Sequence, residues 1–296
     1  MSNKRVLVIG GTNLDICGSP VSDFRLHDSN IGSVSSSAGG VGRNIAHNLR
    51  LLGVNVSIIT AFGNDVFSPI LKDNLTSLGI DISMSVESSF YPSSVYLYVQ
   101  DRSGDMHVAI NDMEIVSCIT PEHIEKYIDR FDRFSAIVID TNLSQETLCY
   151  IADHSAVPVY ADAVSAAKAI KLNGLLNKLT CLKLNRMEAE ILTGESDPSA
   201  AAKSLFFSGL KHPFVSCGKA GIITFDGANL ISVPARIVPC INSTGAGDAA
   251  TAAIIYSGIH GFSPRKTAVL AEAAGALTVN CNENVNPDIS DILNEF

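Results

Sequence analysis

The sequence predicts an α/β fold, a mostly parallel central sheet with helices on both faces and a small β-sheet lid. Three observations lead there. Short β-branched runs alternate with helix-length segments, the pattern of a parallel sheet covered on both sides. One stretch breaks that rhythm and alternates with period two about a turn. Glycine-rich turns stand where strands give way to helices, and ligands of open α/β sheets bind in the crevice outside the carboxyl ends of the strands.

The expected strands are Arg5 to Ile9, Val56 to Thr60, Ala136 to Asp140, Val157 to Ala161, Thr180 to Leu184, Phe214 to Ser216 and Gly221 to Phe225. Between and after them the helical segments are Arg43 to Gly53, Pro69 to Leu78, Pro121 to Phe131, Met187 to Leu192, Pro198 to Ser208, Asp248 to Gly258 and Pro264 to Cys281. Several carry Pro or Asp in the first turn, and Gly53 and Gly79 close two of them, as helix start and stop chemistry requires. Ser94 to Gln100 and Met106 to Ile110 flank the turn-forming Asp101-Arg102-Ser103-Gly104, which reads as a β-hairpin. The polar insert Gly18 to Ala38 is expected to pair with that hairpin. Residues 15–37 and 93–112 would then form a lid within one unit spanning 1–296.

With 296 residues, 46% of them hydrophobic and 17% charged, the chain is long and apolar enough to bury a large core, which excludes disorder. A net charge of -9 argues against a nucleic-acid partner, whose binding leans on clusters of Lys and Arg. No apolar run approaches the ~18 residues of a membrane span, and the start MSNKRVLVIGG reads as a first strand rather than a secretory core. The expected location is the cytoplasm, with no membrane partner. Seven cysteines at positions 17, 118, 149, 181, 217, 240 and 281 leave no pair closer than 23 residues, so they are expected to be buried, reduced thiols rather than a zinc set.

The run Asn242-Ser243-Thr244-Gly245-Ala246-Gly247-Asp248 follows an extended stretch, Leu230 to Ile241, and opens a helix of small apolar residues. Strand, glycine turn and helix N-terminus make an anion cradle: free backbone N–H groups converge and the helix dipole adds positive charge. A phosphoryl group in transfer would find its oxygens stabilised there. Asp248, in the first turn, could take the proton of an attacking hydroxyl, and a carboxylate of ordinary low pKa would suffice. Taken alone, Asp248 could equally complement the helix dipole. Gly245, Gly247 and Ala250 also fit G-x-G-x-x-A, but an acidic residue ending a following strand is missing. A Walker A loop is absent, since Pro213 and Ala220 stand at its defining positions around Gly218-Lys219.

Two further turns carry candidate chemistry. Ala38-Gly39-Gly40-Val41-Gly42-Arg43-Asn44 precedes a helix, and its glycines permit close backbone approach to a ligand. Gly10-Gly11-Thr12-Asn13-Leu14-Asp15 ends the first strand, with an amide and a carboxylate able either to hold vicinal hydroxyls or to form an Asx turn.

Together, GGxGxN near the start, N-x-x-E at Asn185 to Glu188 and T-G-A-G-D at Thr244 to Asp248 resemble the ribokinase/PfkB family of ATP-dependent carbohydrate kinases, in the family's order and over essentially the whole chain. The resemblance implies a ribokinase-like fold, a β lid that serves in dimerisation, and transfer of the ATP γ-phosphate to a sugar hydroxyl. By position, Asp248 looks like the catalytic base, and Gly245, Ala246 and Gly247 like the anion hole. Asn13, Asp15, Gly40 and Asn44 look like the sugar-binding set. Asn185 and Glu188 match the motif that organises water-bound Mg2+ and the ATP phosphates, while Ser216, Gly218 and Gly221 match a loop beside the nucleotide.

Within the family, GGVGRNIAHNL, AINDM, DAVSAAK and NSTGAGDA look like the pseudouridine kinase branch. That implies a nucleoside acceptor phosphorylated at its 5'-hydroxyl, with Asn111, Asp112 and Asn142 as candidate base or ribose contacts. Asn242 stands where many members have Asp, which weakens the inference of a K+ site, and Leu184 stands where proline is frequent. The alternatives are another sugar or nucleoside kinase of the same family, acting on ribose, uridine or adenosine, and a nucleoside-binding sensor without turnover. The lid supplies only Arg25 and Arg102, which disfavours a phosphorylated sugar. The partners implied are a small-molecule acceptor, ATP and a second copy of the chain.

Overall fold

The computed structural model describes residues 4–101 and 106–295. Its strands are β1 (Arg5–Ile9), β2 (Asn13–Pro20), β3 (Gly32–Gly39), β4 (Asn55–Ile59), β5 (Ala61–Phe62), β6 (Val86–Glu87), β7 (Val95–Gln100) and β8 (Met106–Asp112). They continue with β9 (Ala136–Asp140), β10 (Val159–Asp162), β11 (Cys181–Asn185), β12 (His212–Ser216), β13 (Ile222–Phe225) and β14 (Leu230–Val233). The α-helices are α1 (Val41–Leu51), α2 (Phe67–Ser77), α3 (Pro121–Glu125), α4 (Gln145–His154), α5 (Ala166–Ala169), α6 (Arg186–Thr193), α7 (Pro198–Phe207), α8 (Ala246–Ile259) and α9 (Pro264–Val279).

Eight strands form the main sheet in the order β14-β13-β12-β11-β10-β9-β1-β4. From β4 to β12 every pairing is parallel. The exceptions are β13 and β14, which pair antiparallel. Only five residues separate β12 from β13, too few for the crossover that a parallel pairing needs. Alternation along β1 sends Val6 and Val8 into one apolar layer with α1, α8 and α9, and Leu7 and Ile9 into another with α4, α6 and α7. The sheet is thus covered on both faces.

A second sheet, β3-β2-β7-β8, stands apart from the first. β2 pairs antiparallel with β3 and parallel with β7, so the polar insert does join the hairpin. Of the expected hairpin turn, Arg102 to Gly104 lies outside the described residues.

Several expectations change in detail. Pro121 to Phe131 is not one helix: α3 stops at Glu125 and a 3-10 turn follows over Ile128–Arg133. The extended run Leu230 to Ile241 is strand only to Val233, because Pro234 and Pro239 bring no N–H to a ladder. Burial also divides the cysteines, all free: Cys17 and Cys181 are buried, four are half-buried and Cys240 is exposed. Among the described residues no helix is long and apolar enough to cross a membrane.

Candidate active site

Parallel strands deliver their carboxyl ends to one edge of the sheet, and here those ends are charged. β9 finishes at Asp140, whose Oδ2 accepts the Gly11 N–H at 2.8 Å and whose Oδ1 accepts the Asn142 N–H at 2.9 Å. β10 finishes at Asp162, whose Oδ2 accepts the Thr251 hydroxyl at 2.6 Å and lies 3.7 Å from Lys183 Nζ. Lys183 is buried within β11. Burial would strip its proton, but the carboxylates of Asp162, Glu188 and Asp248 outweigh that and hold it protonated.

The glycine turn reaches this edge at the start of α8. Gly245 has φ 82°, a left-handed conformation that glycine alone adopts without strain, and a β-carbon there would collide with the Asn284 carbonyl oxygen. No side chain caps this helix, so its first N–H groups have no partner of that kind and are open to an anion or to water. Lys183 Nζ lies 2.7 Å from where a Gly247 β-carbon would stand, which adds an ammonium beneath the helix dipole.

Asp248 sits half-buried in the first turn of α8. Its Oδ2 accepts a 2.8 Å bond from Asn44 Nδ2. Burial, reinforced by the Asp162 carboxylate, pushes its pKa up to about 7 against the opposing pull of Asn44 and Lys183. The ordinary low pKa that would have sufficed is not what the fold provides, because the carboxylate is buried beside Asp162 and Asp140.

Asn44 is itself held from behind. The buried Arg43 donates from Nη1 to Asn44 Oδ1 at 3.0 Å, and an arginine offers no acceptor. The amide nitrogen of Asn44 must then face Asp248. Asn13 Nδ2 donates to Asp15 Oδ1 at 2.6 Å, and Asn284 Nδ2 to Asp15 Oδ2 at 3.1 Å. Gly40, with φ 98° and Thr12 Cα 2.8 Å from where its β-carbon would lie, lets α1 start against the turn after β1. Asn13, Asp15, Gly40, Asn44 and Asp248 thus come together, although 204 residues separate Asn44 from Asp248.

Register in the second sheet decides its candidates. Asp15, Tyr96 and Asn111 pair in one row, so Asn111 shares a face with Asp15. Asp112 is one residue further, in the row of Val95 and Leu14. Successive strand residues face opposite ways, so register sets Asn111, and not Asp112, on the face of Asp15. Asn142 follows Asp140 and accepts from Lys168 Nζ at 2.6 Å.

Asn185 and Ser216 are register neighbours at the ends of β11 and β12. Asn185 caps α6 in a reciprocal box: its N–H and Nδ2 donate to the two Glu188 oxygens at 2.7 and 2.6 Å, and its Oδ1 accepts the Glu188 N–H. Burial raises the Glu188 pKa while Lys183 opposes the shift. Ser216 donates to the Leu184 carbonyl, and Gly218 and Gly221 bound the turn into β13.

Sequence reasoning missed Lys183, Asp162, Asp140, Arg43, Thr251 and Asn284. The first three carried a signal: a lysine inside an otherwise apolar buried strand, and carboxylates closing AIVID and VYAD. Asn284 carried none, since it lies 269 residues from its partner Asp15.

Comparison with known proteins agrees with this geometry. Residues 3–290 match the profile described as pfkB family carbohydrate kinase. The chain is 35% identical over 293 residues to the pseudouridine kinase of Escherichia coli K12, covering 96% of this chain and 93% of that protein. It is 26% identical to a guanosine-inosine kinase of Exiguobacterium acetylicum over 98% of this chain and 99% of that one. A carbohydrate kinase structure from Agrobacterium tumefaciens superposes with TM-score 0.88 at 28% identity, covering 99% of this chain and 96% of the other. With its motifs brought to one edge of a ribokinase-like α/β sheet, the chain belongs to the PfkB family and is an ATP-dependent sugar or nucleoside kinase.

Proposed function

We propose that the chain transfers the γ-phosphate of ATP to the 5'-hydroxyl of pseudouridine. The observation that carries the reading is the identity with a pseudouridine kinase over nearly the full length of both chains. Asp15 and Asn13 hold the ribose hydroxyls. Asn44 ties the sugar-side helix α1 to Asp248 through a single 2.8 Å bond, so that sugar and base are positioned by one rigid element. Asp248 accepts the proton of the 5'-hydroxyl as its oxygen bonds to the γ-phosphorus and the bond from that phosphorus to the β,γ-bridging oxygen breaks, releasing ADP; the raised pKa of Asp248 suits a base working near neutral pH. The N–H groups of Ala246 and Gly247, with Lys183 beneath them, stabilise the charge on the transferring phosphoryl group. Asn111 reads the ring from the second sheet, and Ser216, Gly218 and Gly221 line the nucleotide.

Magnesium is the ion this chemistry implies. Among the described residues no three His, Cys, Asp or Glu side chains cluster as ligands, and both Glu188 oxygens already accept from Asn185. That donor set fits an ion that would arrive with ATP and be held by Glu188 through water rather than by direct ligation. When bound, the ion neutralises phosphate charge. Lid closure over the acceptor excludes water.

Exposed Val34, Leu97, Val108 and Ile110 share the face of the second sheet opposite Asp15. This apolar face pairs with a second copy of the chain, and sedimentation should find a dimer. The acceptor is tested by ATP-dependent transfer to pseudouridine, uridine, adenosine, ribose and fructose 6-phosphate. Preference for pseudouridine supports the reading, whereas transfer only to another acceptor overturns the substrate and leaves the family chemistry standing.

A further inference from the structure

Lys168 has no part in the chemistry above. It is half-buried on α5, and its Nζ donates to Asn142 Oδ1 at 2.6 Å. An ammonium carries three N–H donors and no acceptor, so the amide must turn its oxygen to Lys168 and its nitrogen away. That nitrogen stands 2.9 Å from where a Gly11 β-carbon would lie, and the Met113 methyl 2.7 Å from the same point. Met113 directly follows β8, the strand that carries Asn111. Among the described residues no protein acceptor takes the two Nδ2 hydrogens of Asn142. Arg43 and Asn44 repeat the device within the same site: a cation behind the amide oxygen, and a donor presented in front.

We infer that Lys168 is a positioning residue that fixes Asn142 as a hydrogen-bond donor toward the nucleobase. The site therefore favours a ring with an oxo group at that edge and disfavours one with an amino group, whose hydrogens would meet those of Asn142. The inference rests on the nucleoside reading given above and adds the residue that sets its polarity.

The test compares kcat/KM for pseudouridine with that for its 2-amino analogue pseudoisocytidine and its 4-amino analogue pseudocytidine. A donor facing a donor leaves both unsatisfied, so wild type should prefer pseudouridine over at least one analogue by about tenfold to a hundredfold. In Lys168→Met the amide is free to turn, and the preference should fall below about threefold, mostly through KM. Lys168→Arg keeps a donor-only cation and should restore it. If the Met variant does not fold, Lys168→Gln replaces it, since a glutamine presents either an acceptor or a donor. A folded Met or Gln variant that keeps the full preference overturns the inference alone, and so does a wild type indifferent to oxo and amino rings. Transfer to sugars but to no nucleoside overturns the nucleoside reading and the inference together.

Discussion

The raised pKa of Asp248 has a thermodynamic consequence that does not require substrate. In the unfolded chain an aspartate titrates near 3.9, whereas in the fold burial and Asp162 lift Asp248 to about 7. Between those values the native state holds a proton that the unfolded state has lost, so stability falls as pH rises from about 4 to about 7. Asp248→Asn removes the titration and keeps an oxygen for Asn44 Nδ2 to bond. The full difference of about three pH units corresponds to ~4 kcal/mol. Water reaching a half-buried carboxylate screens part of it, so ~2–4 kcal/mol is expected. Urea denaturation of the ligand-free proteins at pH 4, 5.5, 7 and 8.5 measures it. The variant should gain stability over wild type as pH rises to 7, then hold a constant advantage. An advantage that does not vary with pH would refute the burial account of this carboxylate.

Other consequences follow from the same network. Lys183→Met leaves Asp162 and Glu188 without their buried cation and should lower stability by ~3–5 kcal/mol in urea denaturation. Gly245→Ala forces a side chain into a positive φ and against the Asn284 carbonyl oxygen; turnover should fall at least about a hundredfold, with the far-ultraviolet circular dichroism unchanged. Asp15→Asn should raise KM for the acceptor about tenfold or more while altering kcat less. Asn242 Nδ2 donates to the Asn282 carbonyl at 3.1 Å, and this position brings a neutral amide rather than a carboxylate that would attract a monovalent cation. Rates in sodium and potassium buffers should therefore agree within about twofold.

Much of the fold was legible because its signals are local. β1 and β9 keep the bounds expected from their apolar runs, and glycine and proline marked most helix ends within two residues. Where tertiary context intervened, the pattern failed: residues 121–131 have helical periodicity but split after Glu125. At the site, the glycine turns and the carboxylate of Asp248 announce themselves by residue type. The Asp162–Lys183 pair does not, because its meaning comes from two strands meeting in register. Nor could sequence show that the Asp248 pKa is raised, since that depends on Asp162, 86 positions earlier. Asn111 and Asp112 looked equivalent until the pairing of β8 with β7 assigned them to opposite faces.

The role proposed for Asp248 is to take the proton while the rest of the site binds. It is tested most directly by comparing wild type and Asp248→Asn in one assay of pseudouridine phosphorylation, with nucleoside and ATP affinities measured alongside. Affinities should stay within about threefold of wild type while kcat falls by about a thousandfold or more. A kcat within tenfold of wild type would contradict it, and the proton would have to leave by another route.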